Sequence, residues 1–154
     1  MKRTISILAL LALPLLVQAE APAIDVPDDA KAAAATVDRF FAALKAGELE
    51  KAGAELDPDV LILESGGAEH SAAEYLGGHA KGDAAFLKDA RQVLLHRKGR
   101  ASGKFAWVAS ESELHVQRDG KPATIVSTET MVLRSDHAGW KIVHIHWSSR
   151  SRKQ

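Results

Sequence analysis

Two different apolar periods divide this chain. After Ala32, residues Val37, Phe40, Phe41 and Leu44 recur at spacings of three and four, which predicts an amphipathic helix over 28–47. Asp28 and Asp29 suit its positive N-terminal end, and Gly47 its stop. A second helix over 48–56 follows, ended by Asp57-Pro58. Val60-Leu61-Ile62-Leu63 is too short and too punctuated for a helix and reads as a strand running into Glu64-Ser65-Gly66-Gly67. The capping box Ser71-Ala72-Ala73-Glu74 opens a third helical region, carrying Tyr75, Leu76, His79, Phe86 and Leu87 and broken near Gly77 to Gly82. Beyond it the period becomes two. Strands are predicted over 92–96, 104–117, 123–134 and 140–149, with turns at Arg118-Asp119-Gly120-Lys121 and 136–139.

Helices early and strands late imply an α+β fold, with the N-terminal helices packed on a curved antiparallel sheet. Such a cone leaves a cavity open at one end. The last strand divides by alternation. Val143, Ile145 and Trp147 share one face, and His144, His146 and Ser148 the other. The apolar face should meet the helices, so Trp147 is the expected cavity residue, with Glu64, Tyr75, His79 and Trp107 as expected neighbours and ligand-binding candidates. Glu69-His70 lies in a Gly-rich loop and is expected to be exposed and silent.

Lys2 and Arg3, the apolar run Ile5 to Val17, and Val17-Gln18-Ala19 read as a secretory signal peptide, 1–19, cut after Ala19. The run is shorter than the ~20 residues of a spanning helix, so no membrane attachment is expected after cleavage. The expected destination is the periplasm. Residues 20–27 then read as a linker, 28–150 as the domain and 151–154 as a basic tail. Removing Lys2 and Arg3 from 20 basic residues leaves 18 against 20 acidic ones, a net charge of −2, which argues against nucleic-acid binding. With no cysteine, the domain must be held by its core alone.

The first helix, Val37-Asp38-Arg39-Phe40-Phe41-Ala42-Ala43-Leu44-Lys45-Ala46-Gly47-Glu48, resembles that of the SnoaL-like, ketosteroid isomerase-like group of the nuclear transport factor 2-like superfamily. Ala106-Trp107-Val108 resembles the family's long central strand. Glu129 to Arg134 with Gly139 to Ser148 resembles its closing hairpin. The resemblance implies a cystatin-like, nuclear transport factor 2-like cone, and homodimers packed through the outer sheet face. It implies no single activity, because the family includes isomerases, cyclases, hydratases, ligand binders and oligomerisation modules. The isomerases use a carboxylate base with an oxyanion hole of Tyr and a protonated acid. Tyr75, the one tyrosine, stands in the wrong segment for that role, and no Asp falls where the base would be. Glu64, Glu111, Glu113 and Glu129 are the carboxylates near strand ends.

Three functional readings follow. The first is a non-catalytic module holding a small, partly apolar molecule, with no cofactor required. The second uses His144 and His146, about 7 Å apart on one face, as ligands for copper or zinc, with Glu64, His70, His79 or His115 as a third. The third is a hydratase- or isomerase-type enzyme with Glu64 and His79 as its acid–base pair. Strand alternation favours an interface role for the two histidines. Arg150, at the strand's end, could meet an anionic ligand.

Overall fold

The computed structural model describes residues 21–152. The signal-peptide reading falls on residues outside these. The order is β1 Ala23–Asp25, a 3-10 turn Asp28–Ala30, α1 Lys31–Ala46, α2 Leu49–Glu55, β2 Leu56–Glu64, β3 Gly67–Glu69, α3 Ala72–Gly77, α4 Ala80–Asp89, β4 Arg91–Ser102, β5 Phe105–Arg118, β6 Lys121–Asp136 and β7 Gly139–Ser151. The sheet order is β1-β4-β5-β6-β7-β2-β3. Strands β4 to β7 form the expected antiparallel run. β1 joins β4 and β2 joins β7 in parallel.

The local signals act as their chemistry predicts. Gly47 takes the left-handed conformation at φ 73° and closes α1 by donating to the Ala43 and Leu44 carbonyls. Ser71 Oγ accepts from the Glu74 amide at 3.1 Å, and Glu74 Oε2 accepts from the His70 amide at 2.7 Å. The helical region breaks at Gly78, between α3 and α4. Asp119 and Gly120, both at positive φ, join β5 to β6 in a two-residue turn.

Three expectations are corrected. Residues 23–25, read as linker, form an edge strand, because Arg100 grips Asp25 through both guanidinium nitrogens, at 3.1 and 2.7 Å. β2 begins at Leu56 rather than Val60, and Pro58 sits within the register break between Leu56 and Leu61, where no ladder donor is needed. β7 is irregular between its pairings to Val132 and Leu133, so Ile142 rather than Val143 takes the core position beside Ile145 and Trp147.

The core lies between α1 and the concave sheet face. Val37, Phe40 and Leu44 of α1 meet Val108, Met131, Leu133, Ile142 and Ile145, all buried. The Phe40 and Trp147 rings stack at 6.3 Å, and Tyr75 packs 6.1 Å from Trp147. These aromatics fill the closed part of the cone and leave its open end between α4 and the sheet.

Candidate functional site

Register places five inward-facing residues in one row across the sheet. Arg97 on β4 pairs with Ser110 on β5, Ser110 with Glu129 on β6, Glu129 with Trp147 on β7, and Trp147 with Glu64 on β2. Paired residues share a face. The row crosses a cavity of about 110 Å3. Phe41 and Leu44 of α1 and Asp83, Phe86 and Leu87 of α4 roof it, and Ser112, Ser127 and Ser149 add hydroxyls to its sheet wall.

Glu129 is the residue that sequence reasoning passed over. Its Oε1 is buried with no hydrogen-bond partner among the described residues. Burial pushes its pKa up to about 7, against the opposing pull of Ser110, the Arg97 charge and Trp147. A buried acid of this kind holds its proton near neutrality. The signal was available: Glu129 stands in phase with Ile125, Met131 and Leu133, which makes it an acid on the apolar face of a strand. Arg97 is itself engaged, donating to Asp38 Oδ1 at 2.5 Å and to Ser110 Oγ at 3.1 Å.

The predicted site residues separate. Trp147 and Glu64 line the cavity. Burial and the Asp83 charge raise the Glu64 pKa. Tyr75 is fully buried behind the cavity wall, its hydroxyl donating to Asp83 Oδ2 at 2.9 Å. Burial raises Asp83 as well, while the Tyr75 bond opposes that rise. His79 does not pair with Glu64. Its imidazole lies on the exterior, 72% exposed, and Nδ1 contacts Glu69. Glu69, expected to be exposed and silent, is buried on β3 and raises the His79 pKa. Trp107 leaves the expected set: it projects from the convex face of β5, opposite Val132, because Ala106 and Val108 take the inward phase.

His144 and His146 point outward, as alternation predicts, with ring centroids 6.5 Å apart. His144 Nδ1 donates to the Leu61 carbonyl at 2.9 Å. Three of the four proposed third ligands lie elsewhere. Glu64 faces the cavity and His79 contacts Glu69. His115 pairs with Thr124, eight positions along β6 from the partner of His144, roughly 27 Å away. No group of three or more His, Asp or Glu placed to hold a metal occurs among the described residues.

The SnoaL-like domain model matches residues 33–150. The chain belongs to the SnoaL-like family. A candidate ketosteroid isomerase from Shewanella frigidimarina is similar at 31% identity and TM-score 0.72, over 82% of this chain and 99% of that one. The S. rosetta CaMKII hub shares the fold at 24% identity and TM-score 0.69, over 78% of this chain and 95% of that one. A candidate dehydratase from Streptomyces avermitilis shares it at 16% identity and TM-score 0.64, over 79% and 96% of the two chains. The cystatin-like description fits as well, since a nuclear transport factor 2-like protein of that fold from Novosphingobium aromaticivorans superposes at TM-score 0.66, with 17% identity and coverage of 78% and 80%. Among curated proteins none matches significantly.

Proposed function

We propose that this SnoaL-like domain binds a small, partly apolar molecule in the cavity between α1, α4 and the sheet. The observation that carries the reading is Glu129, a half-buried carboxyl whose Oε1 is buried and unpartnered, set beside Trp147 on the floor of a largely apolar cavity. Its size suits one ring-sized group, being somewhat below the ~150 Å3 of a cavity known to hold benzene. Titrating a neutral fragment, benzyl alcohol, against isotope-labelled protein should shift the Trp147 indole resonance, and Trp147→Ala should weaken that binding. No shift at cavity residues up to the solubility limit would remove the reading.

Acid–base catalysis is the second reading, favoured by the same carboxyl. A group with a pKa of about 7 exchanges protons at neutral pH. The similarity to a candidate isomerase supports looking for it. In this reading Glu129, rather than a Glu64–His79 pair, holds the proton. Any turnover found in a substrate screen must collapse in Glu129→Gln, and turnover that survives rejects the role.

We further propose that the protein is exported through residues 1–19 and pairs through the outer sheet face. Phe105, 55% exposed, and Trp107, 37% exposed, stand on that face near Val132 and support pairing with a second copy. N-terminal sequencing of the mature protein tests the cleavage after Ala19.

A further inference from the structure

Glu64, Asp83 and Glu129 reach the same cavity from three different elements, and no residue lining it carries a positive charge. The two nearby bases are each held by another acid, Arg97 by Asp38 and His79 by Glu69. Among the described residues, none of the three cavity carboxyls lies within ion-pair distance of a Lys, Arg or His. The cavity is therefore a low-dielectric space lined by acids and by no base, and once those acids ionise their field favours a cation.

Glu129 adds an independent observation. Its Oε1 is buried and unpartnered, and the residue lines the cavity. A buried acceptor without a donor is rare in folded proteins, and a donor carried by a ligand would satisfy it. Asp83, by contrast, already accepts from Tyr75. The aromatic rings of Phe41, Phe86 and Trp147 border the same space, and ring faces attract cations. An anion would find no cationic partner here. A neutral ligand would leave the field of the ionised carboxyls unanswered.

We infer that the cavity takes a small protonated amine, its ammonium donating to Glu129 within the field of Glu64 and Asp83 and its apolar part lying against Trp147, Phe41 and Leu44. This inference rests on the ligand-binding reading above and narrows it to a charge class.

Three probes of one shape separate the two. Benzylamine, benzyl alcohol and benzoate are titrated above neutral pH, with the Trp147 indole resonance and the cavity amides as the readout. Benzylamine should bind at least about tenfold tighter than benzyl alcohol, because its hydrogen bond to Glu129 is charge-assisted. Benzoate should not bind. Glu129→Gln should lower benzylamine affinity about tenfold and bring the amine-to-alcohol ratio towards one. Should that variant fail to fold, Glu64→Gln carries the same test with a smaller loss. Benzyl alcohol binding as tightly as benzylamine, or both variants keeping the wild-type ratio, overturns the amine inference and leaves ligand binding standing. No binding by any probe overturns both.

Discussion

The two faces of the β6–β7 hairpin run different chemistry from neighbouring positions. On the concave face Glu129 stands opposite Trp147, and one residue along, on the convex face, Thr130 stands opposite His146. The acid is half-buried, with its Oε1 shut off from solvent, and its pKa lies far above the usual carboxylate range. The imidazole of His146 is exposed. Alternation alone therefore decides which titratable group is drawn into the apolar interior, and burial then decides where its proton is held. A His-x-His pair looks like a site in sequence, whereas an isolated Glu in a Thr-rich strand does not. In the structure the Glu lines a cavity and the two imidazoles face outward.

The largest test of this contrast uses the tryptophans. Trp147→Ala removes a ring that packs on Phe40, Phe41 and Tyr75, and it should cost about 3–5 kcal/mol. The midpoint of thermal unfolding should fall by about 10 °C or more. Trp107→Ala, on the convex face, should cost less than about 1 kcal/mol in the isolated subunit. Equal losses by calorimetry would mean that the two faces are buried alike.

A smaller effect distinguishes Glu129 from an ordinary carboxylate. Its folded pKa, raised from 4.5 to about 7, means that the folded state holds a proton that the unfolded chain has already lost. Stability should therefore fall as pH rises from 4.5 to about 7 and level off above that, with Glu129 contributing on the order of 3 kcal/mol. Glu64 and Asp83, also raised, add slopes of the same sign, while Arg97, paired with Asp38, works against the rise at Glu129. Denaturant unfolding of Glu129→Gln across this window should show a flatter profile with a residual slope. A profile as steep as wild type would mean that Glu129 is ionised throughout.

Much of the fold was legible because its signals are local. Gly47, the Ser71–Glu74 box, the Asp119-Gly120 turn and the alternation of Ile145 with His146 each act over a few residues. The site was less legible because it depends on register. Nothing near Ser110 or Glu129 in the chain says that they share a row with Arg97 and Glu64. That adjacency arises from the ladders β4–β5–β6–β7–β2, which join residues far apart in sequence. His79 was misplaced for the same reason. The three-residue strand β3 brings Glu69 within reach of it, and a Gly-rich stretch gave no hint of that strand.

The smallest expected effect belongs to the pair that the sequence makes most conspicuous. The double variant His144→Ala/His146→Ala loses one side-chain bond, from His144 to the Leu61 carbonyl, and should change stability by no more than about 1 kcal/mol. Its informative readouts are assembly and metal. In sedimentation at micromolar concentration the wild type should run as a dimer and the variant should shift towards monomer. A monomeric wild type would remove the interface explanation for the outward imidazoles. Calorimetric titration with Cu(II) or Zn(II) should give at most weak binding, because among the described residues no third ligand is grouped with the two imidazoles and the coordination shell is left incomplete. Tight binding in the wild type that disappears in the variant would restore the metal reading. It would also make the convex face, and not the acid-lined cavity, the place where this domain meets its ligand.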